Sequence, residues 1–312
     1  MMPTLPIALI LAAGMFLIGA IVGSFLNLCI ARLPWEQSVF WPRSRCDSCG
    51  AEVKGLDLIP ILGLLRLKGR ARCCGSPISL RYPMVEFLTA VLFVLVYVID
   101  TLTIARSTTN GFTLWVAITA HASCMALLVV VSFIDFDLTI VPAPVTNLGM
   151  FLGLFAGLIA PGYRAAPSNA STSIEGLVVG LIGLAVGAGL VWVIRVIGGL
   201  VFRREAMGSG DVHILGMVGA FLGWRIAVLS FFLSSFYGLI PSVWKLVSYL
   251  RKRATGREWN ASDREIPLGP FLALAAATLY LAWFWVWPGF LKPRFLMVES
   301  ILGLLPGEDV EN

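Results

Sequence analysis

LPIALILAAGMFLIGAIVGSFLNLCI, residues 5–30, holds no charged side chain, and none precedes Arg32 anywhere in the chain. A helix crosses the hydrocarbon core of a bilayer with about 20 mainly apolar residues. The stretch lacks the basic residues that open a secretory signal, and it exceeds the ~7–15 apolar residues of a signal's core. It reads as a retained membrane span. Similar charge-poor stretches follow at 84–104, 113–134, 140–162, 174–201, 211–224, 226–247 and 266–289. The sixth is short and is divided from the seventh only by Gly223, Trp224 and Arg225.

Composition agrees with that pattern. The 312 residues are 58% hydrophobic and 13% charged, with a mean hydropathy of +0.87. Soluble domains carry about a quarter charged residues. The expected fold is therefore an all-α, polytopic membrane helix bundle of about eight spans. A bilayer is its first partner, and the net charge of +5 is no sign of nucleic acid, because basic residues in such a chain first mark the cytoplasmic loops. No internal repeat or low-complexity tract is evident.

The loops set the orientation. Residues 31–83 hold Arg32, Arg43, Arg45, Lys54, Arg66, Lys68, Arg70, Arg72 and Arg81. The loop near 249–265 holds Arg251, Lys252, Arg253, Arg257 and Arg264, and Arg203 and Arg204 follow the fifth span. The opposite loops near 105–112 and 163–173 have one arginine each, Arg106 and Arg164. The basic loops are expected in the cytoplasm and both termini outside. The expected division is a first span at 1–30, a loop domain at 31–83, a membrane core at 84–290 and a C-terminal tail at 291–312. The loop domain is too small to fold easily without a staple.

That loop carries four of the six cysteines. Cys46-Asp47-Ser48-Cys49 forms a C-x-x-C turn, and Cys73-Cys74 follows. Disulfides are disfavoured in the cytoplasm. Four thiolates there would suit a structural zinc in a zinc-ribbon-like domain. Ligation by three cysteines, or reduced thiols without metal, remain open. Cys29 and Cys124 lie within spans and read as small apolar residues.

Among the carboxylates, Asp135 and Asp137 end the third span, and Asp211 opens the sixth after Gly208-Ser209-Gly210. The alternation of spans brings both segments to the cytoplasmic boundary. Ionisable groups at membrane depth are candidates for function. Two adjoining carboxylates can share a proton, one activating water while the other polarises a carbonyl. Acids capping helix N-termini fit the same pattern. His121 reads as a helix-packing hydrogen-bond donor, and His213 as an interfacial group near Asp211.

In combination, these segments resemble the bacterial type IV prepilin peptidase family, a group of membrane aspartic peptidases with a G-x-G-D motif. Gly23-Ser24-Phe25-Leu26-Asn27 with Ala31-Arg32-Leu33-Pro34 is similar to its first signature. Cys46 and Cys49, Ile59-Pro60, Lys68-Gly69-Arg70, Ser76-Pro77-Ile78-Ser79 and Arg81-Tyr82-Pro83 with Glu86 follow its cytoplasmic domain. Ile134-Asp135 with Val141-Pro142, Gly208-Ser209-Gly210-Asp211 with Leu222-Gly223-Trp224, and Ile266-Pro267-Leu268-Gly269-Pro270-Phe271 complete the likeness. The resemblance implies an inner-membrane endopeptidase that removes the basic leader of prepilins or pseudopilins at the cytoplasmic face. It implies Asp135 and Asp211 as catalytic and, in many members, methylation of the new N-terminus with S-adenosylmethionine.

There are departures from the family pattern. Ala71 stands where the first cysteine of the second pair belongs, so Cys73 would have to serve with Cys74. His213 replaces a common lysine, and Ala143 replaces an acid or amide. Glu86 is expected to help receive the basic leader, since a basic loop alone would repel it. Two rival readings are a non-catalytic assembly scaffold of the same fold and a transporter with a midplane site. The gathering of acids at one face, without repeated halves, counts against the transporter.

Overall fold

The computed structural model describes residues 4–41, 43–53, 55–107, 111–164, 170–203, 207–254 and 267–286. Lys54, Arg204, Arg257, Arg264, Ile266, Trp287 and the tail 291–312 lie outside them. The helices among the described residues are α1 (Leu5–Arg32), α2 (Leu62–Arg66), α3 (Arg81–Ser107), α4 (Gly111–Leu138), α5 (Ala143–Ile159), α6 (Ser173–Phe202), α7 (Ser209–Leu222), α8 (Trp224–Ala254) and α9 (Gly269–Val286). Six are long and apolar enough to cross a membrane, and α5 and α7 are shorter apolar helices. Each of the eight expected stretches therefore holds a helix among the described residues.

The helices begin and end where local chemistry dictates. Pro6 stands in the first turn of α1, where a missing N–H costs nothing. Thr172 and Glu175 form a reciprocal capping box at the start of α6. Helix α4 stops at Thr139, whose φ of 55° ends the helical ladder, and Pro142 then caps α5.

Helix α4 lies at the centre of the bundle and is the most buried of the long spans. Lipid tails are as apolar as leucine, so helices associate in a membrane through close packing and hydrogen bonds. Gly19 and Gly23, one turn apart on α1, rest against the backbone of Ala90 and Glu86 on α3. Gly183 of α6 and Gly219 of α7 meet backbone to backbone. A side chain at any of these positions would force the helices apart. The large apolar residues left exposed, such as Leu9, Phe151, Trp192 and Phe236, form the surface suited to lipid.

A polar cluster is buried at the end of the bundle away from Asp135. His121 Nδ1 of α4 lies 2.9 and 3.0 Å from the two carboxylate oxygens of Asp100 on α3. The Tyr280 hydroxyl of α9 donates to Asp100 Oδ1 at 2.9 Å. His121 thus has a carboxylate partner on a neighbouring helix. Arg164 also differs from its reading as an outer-loop charge: it is buried among α5, α6 and α7. Loops count toward orientation by position in sequence, but this one folds back into the bundle.

Candidate functional site

The two candidate carboxylates are presented by opposite ends of two helices. Asp135 lies in the last turn of α4 and Asp211 in the first turn of α7. Both are buried, at 6% and 7% exposure. They lie close enough for the charge of Asp135 to act on Asp211. Gly210 makes this approach possible: its Cα abuts Val141, just beyond α4, and a Cβ would overlap that side chain. The Asp211 carboxylate lies beside Gly208, the N-cap of its own helix, at the positive end of the helix dipole.

Asp135 has no such local support, because a carboxylate near a helix C-terminus faces the negative end of the macrodipole. Its partner comes from another helix. The N–H of Gly269, first residue of α9, donates to Asp135 Oδ2 at 2.9 Å. Each carboxylate thus lies at the start of a helix, Asp211 at that of its own and Asp135 at that of α9, whose first N–H holds it across the bundle. Gly269 stands in a sequence motif without an evident role there, because a backbone donor leaves no mark in residue identity.

Asp137 is engaged differently. It forms an ion pair with Arg81 at the start of α3, half-exposed at the bundle's edge, and the Arg81 guanidinium lies 5.2 Å from the centre of the Phe133 ring. His213 is half-buried on α7.

The loop between α1 and α3 folds as two similar knuckles. In the first, Cys46 N–H donates to Ala51 O and Gly50 N–H to Cys46 O, both at 2.8 Å. In the second, Ala71 N–H donates to Ser76 O and Gly75 N–H to Ala71 O, again at 2.8 Å. Gly50 and Gly75 each take a φ of 70°, a region natural to glycine. Ala71 therefore occupies the place of Cys46, and Cys73 supplies the fourth sulfur. Its Sγ lies 3.2 Å from Cys49 Sγ and 3.9 Å from Cys74 Sγ, while Cys46 and Cys74 are 3.7 Å apart. The four sulfurs lie within 4.8 Å of one another, close enough to hold a metal ion. Backbone N–H groups of Cys49 and Ser48 hold the Cys46 thiol down to about 6. Hydrogen bonds to Cys49 and Cys46 push Cys73 up to about 12.

Glu86 is buried on α3 and accepts from the N–H of Ile61 at 2.7 Å. It lines a cavity of about 1240 Å³ between α1 and the loop that precedes α3, together with Asp47, Glu52 and Asp57 and with Arg32, Arg43, Arg45 and Arg72.

A many-helix membrane bundle with two buried carboxylates at one end of its core is the architecture of an intramembrane aspartic peptidase. Residues 17–99 match the Bacterial Peptidase A24 N-terminal domain, and residues 122–243 match the Type IV leader peptidase family. The Myxococcus xanthus prepilin leader peptidase/N-methyltransferase is 36% identical over 299 residues, covering 96% of this chain and 79% of that protein. The Aeromonas salmonicida protein of the same name is 32% identical over 285 residues, 83% of this chain and 87% of the other. The Escherichia coli type 4 prepilin-like proteins leader peptide-processing enzyme is 33% identical over 282 residues, 84% and 91% of the two chains. No solved structure matches the chain significantly. The chain belongs to the type IV leader peptidase family, and it is a multi-pass membrane protein.

Proposed function

We propose that this protein is a membrane aspartic endopeptidase that removes the basic leader from type IV prepilins or type II secretion pseudopilins, with Asp135 and Asp211 as the catalytic pair. The burial of these two carboxylates at adjoining helix ends is the observation that carries the reading. One carboxylate takes a proton from the attacking water while the other delivers its proton to the peptide carbonyl; as the C–N bond breaks, the first passes the proton it gained to the leaving amine and the second takes one back from the gem-diol hydroxyl. The basic loops support an inner-membrane orientation with this end toward the cytoplasm. A scissile bond between a basic leader and an apolar segment would then lie at the depth of the pair. The nearby cavity also carries Arg32, Arg43, Arg45 and Arg72, and Glu52 and Asp57 are paired with Arg43 and Arg72, which leaves Glu86 and Asp47 as the acids to receive the leader.

The names of the relatives support a second activity, transfer of a methyl group from S-adenosylmethionine to the new N-terminal amine. For the cysteine cluster the ion is zinc. A tetrahedral site with Zn–S bonds of about 2.3 Å has sulfurs about 3.8 Å apart; three of the separations here are 3.2, 3.7 and 3.9 Å, and all lie within 4.8 Å. Such a site would staple the knuckles, so that 31–83 stands as a loop domain beside the membrane core 84–290.

The deciding experiment is leader cleavage by purified Asp135→Asn and Asp211→Asn proteins in proteoliposomes. Both should insert normally and lose cleavage by at least about a thousandfold, as when members of a catalytic unit are removed. Full cleavage by either variant would overturn the assignment and favour a scaffold of the same fold.

A further inference from the structure

The cation of Arg164 lies inside the bundle, at 5% exposure, and has no carboxylate partner among the described residues. A charged side chain at membrane depth is costly, and such groups pair with one another or with backbone carbonyls. Arg164 takes the second course. Its Nη1 donates to Gly176 O of α6 at 2.8 Å, and its Nη2 to Ala220 O of α7 at 3.2 Å and to Gly153 O of α5 at 3.5 Å. The ring of Tyr163 lies 4.8 Å beneath the guanidinium, and its hydroxyl shares the same two carbonyls of Gly153 and Ala220. The site is shaped for this cation. A Cβ at Gly157 or Gly180 would strike the guanidinium.

These contacts matter because of where α7 stops. Its 14 residues give a rod of about 21 Å, so its C-terminal end lies within the bundle. The last carbonyls of a helix have no intrahelical partner, and there is no water in an apolar interior to satisfy them. Gly223 N–H takes the carbonyl of Gly219, and Arg164 with Tyr163 takes that of Ala220. The guanidinium also sets a positive charge at the negative end of the helix dipole, while Asp211 lies at the positive end. Asp211 and Ala220 are nine positions apart on one rigid helix, about 13.5 Å.

We propose that Arg164 is a positioning residue for Asp211: by gripping the far end of α7 it fixes the depth of that helix, and so the placing of the Asp211 carboxylate beside Asp135. The inference rests on the catalytic reading of the pair, but its test has a readout independent of catalysis. Positions 135 and 211 are replaced by cysteine, and the rate of bridging by a short bis-methanethiosulfonate reagent is followed by mass spectrometry in full-length protein in liposomes. Arg164→Met in this background should slow bridging about tenfold or more. Arg164→Lys, which keeps the charge but can reach fewer carbonyls, should recover part of the rate. In the otherwise native enzyme the same two substitutions should lower kcat for leader cleavage by about 10- to 100-fold for Met, and less for Lys, with KM within about twofold. If Arg164→Met does not insert, Arg164→Lys carries the test. Bridging rates equal to the parent in the variants that fold would overturn the proposal. Failure of the catalytic reading would appear separately, as cleavage retained by Asp211→Asn.

Discussion

The amide of Gly269 approaches Asp135 Oδ2 to 2.9 Å, and the same Cα has no room for a methyl group, because a Cβ there would enter the space of the carboxylate. The first residue of α9 thus fixes one oxygen of an acid on α4 and leaves the other for chemistry. Gly269→Ala should fold and insert but displace the carboxylate. Cleavage should fall by about 10- to 100-fold, the cost of a misplacement near 1 Å, mainly in kcat. Steady-state kinetics on a prepilin substrate decide the matter, and an unchanged kcat would show that this contact is incidental.

Asp137 is close to Asp135 in sequence and different in circumstance. Its ion pair with Arg81 is about a third exposed on each side, and such pairs contribute up to about 1 kcal/mol. Asp137→Asn should therefore keep cleavage within about threefold of the parent and lower stability by no more than that amount. A loss as deep as that of Asp135→Asn would move the catalytic role to Asp137.

The Asp100, His121 and Tyr280 cluster is a stability element at the far end of the bundle. Tyr280→Phe deletes one hydrogen bond and should cost about 0.6–2 kcal/mol. Asp100→Leu leaves the His121 ring and the Tyr280 hydroxyl without their shared acceptor and should cost about 3–5 kcal/mol. Thermal unfolding in detergent gives both values. In the double variant the effects should be less than additive, because one contact is removed twice. Strict additivity would mean that the hydroxyl and the carboxylate act independently.

The cysteine loop should bind near one zinc per chain, measured by elemental analysis of protein purified without chelators. Cys73→Ser should weaken binding as much as Cys74→Ser, since Cys73 fills the coordination that Ala71 cannot. Metal binding requires thiolates, so protons compete with the ion and affinity must rise with pH. Zinc should be released as the pH falls, not as it rises. Protein without metal under these conditions would leave the four thiols as an unligated cluster.

Much of this was legible in the sequence. Runs of apolar residues fix membrane helices because the bilayer gives the backbone no other partner, so eight stretches could be read off directly. Asp135 and Asp211 stood out as carboxylates at span ends. What escaped was pairing across helices. His121 reads as a lone donor because Asp100 lies on another helix, though two ionisable groups within apolar stretches are a usable hint. Arg164 reads in the sequence as a loop charge, because nothing in its neighbours announces that 160–164 turns back into the bundle. The donor to Asp135 is a main-chain N–H, and only the packing of α9 against α4 selects which one.

A helix of about 21 Å cannot match a hydrocarbon layer of about 30 Å. If α7 is moored at the end remote from its aspartate, the carboxylate keeps a set distance from the opposite leaflet and not from the one whose headgroups it adjoins. A thicker bilayer then leaves the pair further beneath the nearby surface, with a longer path for water and for the polar side of the substrate. A thinner bilayer shortens both. Acyl-chain length would enter the kinetics of this protein as a variable in its own right, with the fixed rod of α7 acting as the gauge.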